Sequence, residues 1–430
     1  MYRSLHNKKI MIFATLLCPP LGFVLALLCL YKNQNEWKTC IFCISYAIAI
    51  FAYCYEPTVD SDLVRYHQVI EQIKDLPFWE AINSELYGEG SLYTYMALSW
   101  FVGRLSQPNM IQAISVFSVI YIASYINYKV GLDSHLSNKK CFSSIVLILL
   151  GVSFYSLTNN VRNEFAFLFI CYAVFRDVYL KKINVVTLLF YILPCFMHVS
   201  AILLILLRLV QPFTKRIKFV LMILIISMKT IVENLSTIVA SLGSSNLIVQ
   251  LISSMLYKGN RYYNNYDSDW ATAVHNSGSM QLMKILMVIE CTVITIFLVK
   301  NSKAIYELKD KNKEDVYSYR VEYIDYLFLI DIVGFACVPM YMPEYWRFLV
   351  IIVLLNGVIL FEVQVNSKCK NIFYYLKMLL YVIASVYFIL ATRELFLYSK
   401  PLSMILNAFL CNPIFVFFTG VFKGSPNTFF

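Results

Sequence analysis

Asn109-Met-Ile-Gln-Ala-Ile-Ser-Val-Phe-Ser-Val-Ile-Tyr-Ile-Ala-Ser-Tyr-Ile-Asn-Tyr128 is a run of 20 residues without a single charged side chain. A helix of about 20 mostly apolar residues is what crosses a bilayer's hydrocarbon core. Similar runs recur at 38–55, 141–157, 163–180, 218–240, 282–300, 323–342, 347–365 and 371–391. Apolar stretches at 10–31, 91–105, 183–209 and 402–422 are less regular. Of the 430 residues, 59% are apolar and 14% charged, and mean hydropathy is +0.65. Soluble chains carry roughly 45–50% apolar and about 25% charged residues. One water-exposed core cannot absorb that excess, because cores stop growing at about 250–300 residues. A soluble enzyme, a disordered chain and a disulfide scaffold are excluded. The pattern predicts an all-α, polytopic integral membrane protein with roughly 10–12 transmembrane helices, taken as one helical domain over 1–430.

Net charge is +10, from 36 basic against 26 acidic residues. The basic residues form short clusters between apolar runs, as the positive-inside rule expects of cytoplasmic loops. No nucleic-acid patch forms, and no nucleic-acid partner is expected. The longest cluster, in the basic loop 301–321, carries Lys303, Lys309, Lys311 and Lys313. All clusters can share one side only if some apolar stretches turn back. Pro19-Pro20 breaks 10–31, and Pro194 breaks 183–209, placing His198 near the turn. The run 91–105 is short and contains Arg104, which suits an interfacial helix. Re-entrant or broken helices at membrane depth imply an internal cavity.

The outer segments that follow are 56–90, 158–162, 241–281, 343–346 and the region from Arg393 onward, with the large loops 56–90 and 241–281 predicted to be periplasmic. The first holds eight acidic residues against Arg65 and Lys74. The twelve cysteines lie mostly in or beside apolar runs, where Cys behaves as a small hydrophobe. Cys40 and Cys43 have neither a second pair nor a His, so no metal site is expected.

Four places set directional groups against the outer face. In Asp60-Ser-Asp62-Leu-Val-Arg65-Tyr66 the two carboxylates can accept a sugar hydroxyl or hold a metal, and the Arg can hold phosphate. The same pattern is also an ordinary helix cap. In Asn159-Asn160-Val161-Arg162-Asn163-Glu164, the Arg opens a helix at the water line, unless it only snorkels to headgroups. His198 can face a wet cavity and move protons, or simply bond a neighbouring carbonyl. Glu344 and Arg347 form either a weak rim pair or, through Arg347 at a helix N-terminus, a phosphate site. Glu290 and Asp331 are the most embedded acids, with Lys229 a candidate interhelical partner for either. No Walker loop, HExxH, GxSxG or kinase motif is present, so an activated substrate or a gradient must supply energy.

The ordered set Asp60-Ser-Asp62-Leu63-x-Arg65-Tyr66, Glu89-Gly-Ser-Leu-Tyr93, Val161-Arg162-x-Glu164-x-Ala166, His198-x-Ser200-Ala201-Ile202-Leu203 and Arg347 resembles the EpsG/Wzy-like polysaccharide polymerases. Many members have Gln where this chain has Asn163. The resemblance implies a GT-C-like polymerase of a bacterial inner membrane, its active site facing the periplasm. Such an enzyme joins undecaprenyl-diphosphate-linked repeat units into O-antigen or capsular polysaccharide and needs no cofactor. Its partners would be lipid-linked donor and acceptor, membrane lipid and a chain-length regulator protein. Arg162, Arg347 and His198 become the catalytic candidates, converging on a wet chamber, with His198 as base. Asp60, Asp62, Arg65, Tyr66 and Glu164 would bind substrate, joined by Arg261, Tyr262, Tyr263, Tyr266 and Trp270. Those aromatics offer flat faces to sugar rings, or form an anchoring belt. A flippase for lipid-linked oligosaccharide is the rival reading; its class often shows internal repeats, and none is visible here.

Overall fold

The computed structural model describes residues 2–33, 35–57, 61–84, 92–213, 227–241, 277–312, 315–339, 345–360, 370–398 and 401–410, with isolated residues 86, 220, 223 and 256. Among these, every regular element is a helix. Among the described residues, three helices are long and apolar enough to cross a membrane: Met110–Asp133, Gly278–Ser302 and Asn371–Leu397. Shorter apolar helices cover Pro19–Lys32, Trp37–Tyr53, Val185–Phe196 and Ala201–Phe213. The protein is an all-α membrane protein whose chain forms two compact units. One comprises Met1–Ile205, Leu354–Asn366 and Ala384–Phe430; the other comprises Leu206–Val353 and Ser367–Ile383.

The first unit begins with α1 (Tyr2–Leu17) and α2 (Pro19–Lys32). Pro19 and Pro20 take the first two positions of α2, where a missing N–H costs nothing. The chain doubles back there. Met11 Sδ of α1 lies 3.8 Å from Cys40 Sγ, in the first turn of α3 (Trp37–Tyr53). The expected reversal at the Pro pair is therefore a helical hairpin. Gly22 permits its closeness, since a Cβ there would sit 2.3 Å from the Cα of Thr15. Gly22→Val should wedge the hairpin open, costing about 1–3 kcal/mol. A lowered melting temperature in detergent checks this.

The expected acidic loop contains two short helices, α4 (Asp62–Ile73) and α5 (Phe78–Ile82). They lead to α6 (Tyr93–Arg104), then α7 (Met110–Asp133) and α8 (Asn138–Gly151). The predicted span 141–157 is interrupted after Gly151. There Ser153 caps α9 (Phe154–Asn159) by accepting the Ser156 N–H at 3.2 Å. After Asn160 comes α10 (Val161–Val174), which ends in a π-helical turn, Phe175–Tyr179. Arg176 in that turn donates to Thr187 Oγ1 and Asn184 Oδ1, both at 3.0 Å. It thereby ties down the start of α11 (Val185–Ile192). A 3-10 turn, Leu193–Phe196, carries Pro194 and precedes α12 (Ala201–Val210).

Packing in this unit is aromatic, with Trp37 of α3 stacked on Tyr128 of α7 at 5.1 Å. The Asn138 amide donates to the carbonyls of Leu30 and Tyr31 at 2.7 Å, satisfying the end of α2.

Further elements are α13 (Met228–Ser241), α14 (Gly278–Asn312), α15 (Asp315–Cys337), α16 (Tyr345–Leu354), α17 (Lys370–Tyr398) and α18 (Pro401–Leu410). The predicted span 347–365 breaks after Leu354 into a 3-10 turn, Asn356–Leu360. The break is satisfied from α7. Asn127, fully buried, donates to the Leu354 carbonyl at 2.6 Å and accepts the Gly357 N–H. Ser144 of α8 donates to Asn356 Oδ1 at 2.8 Å.

In the second unit Glu290 and Asp331 are fully buried, as their place in the sequence implies. Asp331 accepts the Thr295 hydroxyl. Lys229, however, does not reach across to either acid. It faces Glu233 one turn along α13, at 4.0 Å, with both side chains well exposed. Residues four apart on a helix are surface neighbours, so this pair forms within α13 itself.

Candidate functional site

Arg162 sits in the first turn of α10, just after the break at Asn160. The break has its own supports. Asn159 donates to the Tyr155 carbonyl at 2.9 Å and to the Tyr55 hydroxyl at 3.3 Å, while Asn160 donates to Ser156 Oγ at 3.0 Å. Ser115 of α7 donates to the Val161 carbonyl at 3.0 Å, pinning the helix start.

The Arg162 guanidinium lies against two aromatic rings that also touch each other. Its carbon is 5.0 Å from the Tyr66 ring centre and 5.1 Å from that of Tyr95. The two rings meet edge to face at 5.7 Å. Arg162 Nε also donates to the Tyr66 hydroxyl at 3.3 Å. A cation over an aromatic face gains about 0.5–1 kcal/mol when exposed and about 2 or more when desolvated. Both rings are buried while Arg162 itself is half-buried, so the contact falls between these limits and helps fix where the positive charge stands.

Tyr66 is the hub of the cluster. Burial pushes its phenol above the ordinary range, the Arg162 charge opposes that, and Asp62 and Arg65 act on it from its own helix. Asp62 and Arg65 pair at 2.9 Å with both side chains about half exposed, so the pair contributes little to stability. Four sequence-predicted residues thus meet at one place: Asp62, Arg65, Tyr66 and Arg162. Glu164, in the same first turn of α10, is buried.

The chain is matched by the EpsG family model over residues 39–400, most of its length. The protein belongs to the EpsG family. Nothing matches it among curated proteins or among solved structures. Membership supports a polysaccharide-polymerase activity of the glycosyltransferase kind.

In this EpsG protein His198 occupies the turn after Pro194, as the proline break predicts. The turn packs on the two helices that hold Arg162. Phe196 meets Tyr93 of α6 at 5.7 Å, and His198 meets Phe167 of α10 edge-on at 5.8 Å. His198 Nδ1 accepts the Ser200 N–H at 3.3 Å. A neutral imidazole with Nδ1 accepting carries its proton on Nε2. In this geometry Nδ1 of His198 is engaged by Ser200 and Nε2 is the nitrogen that carries the proton.

Arg347 lies half-buried in the first turn of α16, within the second unit. Asp60, Glu89, Arg261, Tyr262, Tyr263, Tyr266, Trp270 and Glu344 lie outside the described residues.

Sequence reasoning missed several partners. Tyr95 stands two positions beyond the quoted Tyr93, and an alternation of tyrosines at 93 and 95 was the available signal. Gln112 and His67 were also missed. His67 Nε2 lies 3.1 Å from Oε1 of Gln112, which is fully buried on α7. Burial holds the His67 imidazole below its usual pKa.

Proposed function

We propose that this EpsG protein polymerises undecaprenyl-diphosphate-linked oligosaccharide units at the periplasmic face of a bacterial inner membrane. The observation that carries the reading is the Arg162 guanidinium, clamped by Tyr66 and Tyr95 at the opening of α10. A diphosphate leaving group develops negative charge as its bond to the sugar breaks. A preorganised cation at a helix N-terminus stabilises that charge without reorganising. Asp62 and Arg65 beside it suit sugar hydroxyls and phosphate.

The growing glycan leaves its lipid diphosphate and joins the next lipid-linked unit. No cofactor is invoked, because the diphosphate bond supplies the driving force. His198, donating through Nε2, suits a phosphate oxygen or sugar hydroxyl. Arg347 is a second candidate cation. Asp60, Glu164, Arg261, Tyr262, Tyr263, Tyr266 and Trp270 remain candidates for holding glycan, and a chain-length regulator remains a candidate partner.

The test uses purified full-length protein in detergent with undecaprenyl-diphosphate-linked repeat units. Detergent abolishes compartments, so lengthened glycan indicates polymerisation and an unchanged substrate indicates a flippase.

A further inference from the structure

We propose that His67 is the general base that takes the proton of the acceptor hydroxyl in the reaction proposed above, with Gln112 as its positioning residue. A glutamine Oε1 can only accept, so the proton shared with His67 must lie on His67 Nε2. That leaves the lone pair on Nδ1, which makes no hydrogen bond among the described residues. A base oriented by a fixed acceptor behind it is a recurrent arrangement for drawing a proton from a hydroxyl. The histidine of the Pro194 turn carries its proton on the same nitrogen, but its Nδ1 lone pair is already engaged by the Ser200 N–H.

Two routes tie His67 to the Arg162 clamp. It follows Tyr66, whose hydroxyl bonds Arg162. Its partner Gln112 lies one turn of α7 from Ser115, which bonds the carbonyl preceding Arg162. Base and leaving-group cation are thus fixed by the same three helices, α4, α7 and α10.

In the step, the acceptor oxygen forms a bond to the donor's anomeric carbon and its proton passes to His67 Nδ1. The bond from that carbon to the diphosphate oxygen breaks, and its electron pair stays on the diphosphate beside Arg162. The imidazolium then returns its proton to water or to the departing diphosphate.

Burial keeps His67 neutral at neutral pH, and Glu71 on its own helix is the charged group whose field favours the imidazolium. Asp62, Arg65 and Arg162 gather on Tyr66 instead. On α6, Arg104 is held at the Leu76 carbonyl, 3.1 Å away. From α7 the facing group is Gln112, and α9 carries no charge. Because the base must be neutral, activity is lost as pH falls through the His67 pKa, below the ordinary histidine value.

The experiment measures glycan extension against pH with undecaprenyl-diphosphate-linked repeat units, using wild type, His67→Ala and Gln112→Glu. His67→Ala should lose about 100-fold or more and recover in part with added imidazole. Gln112→Glu places a carboxylate behind the ring, so its acid limb should move up by roughly one pH unit or more. Full activity in His67→Ala overturns the assignment. So does an unmoved acid limb in Gln112→Glu, which holds even if the alanine variant fails to fold. A wild type that extends nothing sinks the polymerase reading itself, a result distinct from either.

Discussion

Replacing Arg162 with alanine is expected to leave the protein inserted while lowering polymerisation by about 10²–10³-fold, the effect of deleting one preorganised transition-state donor. Surface polysaccharide on a gel would collapse to a single repeat unit. The geometry sets an order for gentler changes. Arg162→Lys keeps a charge but loses the planar group that rests on Tyr66 and Tyr95, so it should recover little. Tyr66→Phe keeps the ring and removes one hydrogen bond of 3.3 Å, so a loss of only a few-fold is expected. Long chains of normal distribution from Arg162→Ala would remove Arg162 from the reaction.

The second large effect is on stability. Asn127→Leu should destabilise the protein by about 2–6 kcal/mol, because two buried backbone groups lose their partner and each costs about 1–3 kcal/mol. Those groups are the Leu354 carbonyl and the Gly357 N–H, at the break that follows α16. Gly357→Ala attacks the same joint from the other side, since its Cβ would meet Asn127 Cα at 2.8 Å. Residues sharing one joint do not add, so the double variant should lose less than the sum. Thermal unfolding in detergent measures all three. An unchanged melting temperature in Asn127→Leu would show that other groups satisfy the break.

Both predictions concern places where a helix is interrupted, and the interruptions were unequally visible in the sequence. Pro19-Pro20 and Pro194 announce theirs, because proline removes a donor and clashes with the preceding turn. The breaks after Gly151 and Leu354 carry no proline and lie inside apolar runs. After Gly151 the nearby Ser153 caps the next helix, whereas the backbone freed after Leu354 is satisfied by Asn127, which is distant in the chain.

The candidate site divides in the same way. Arg162, Asp62, Arg65 and Tyr66 were legible as charged or directional groups in an otherwise apolar chain. His67 was passed over because it sits in an acidic stretch that the sequence presents as an outer loop. Its significance depends on Gln112 of α7, and no local pattern pairs positions 67 and 112.

The amino-acid order by itself therefore determined the solvent, the class of fold and the residues too costly to be idle. Hydropathy and charge cost are summed along the chain and need no partners. Which groups face one another was decided only by folding. Hydrogen bonds and cation–ring contacts depend on a few ångströms between residues from 45 to more than 200 positions apart, as in His67 with Gln112 and Asn127 with Leu354.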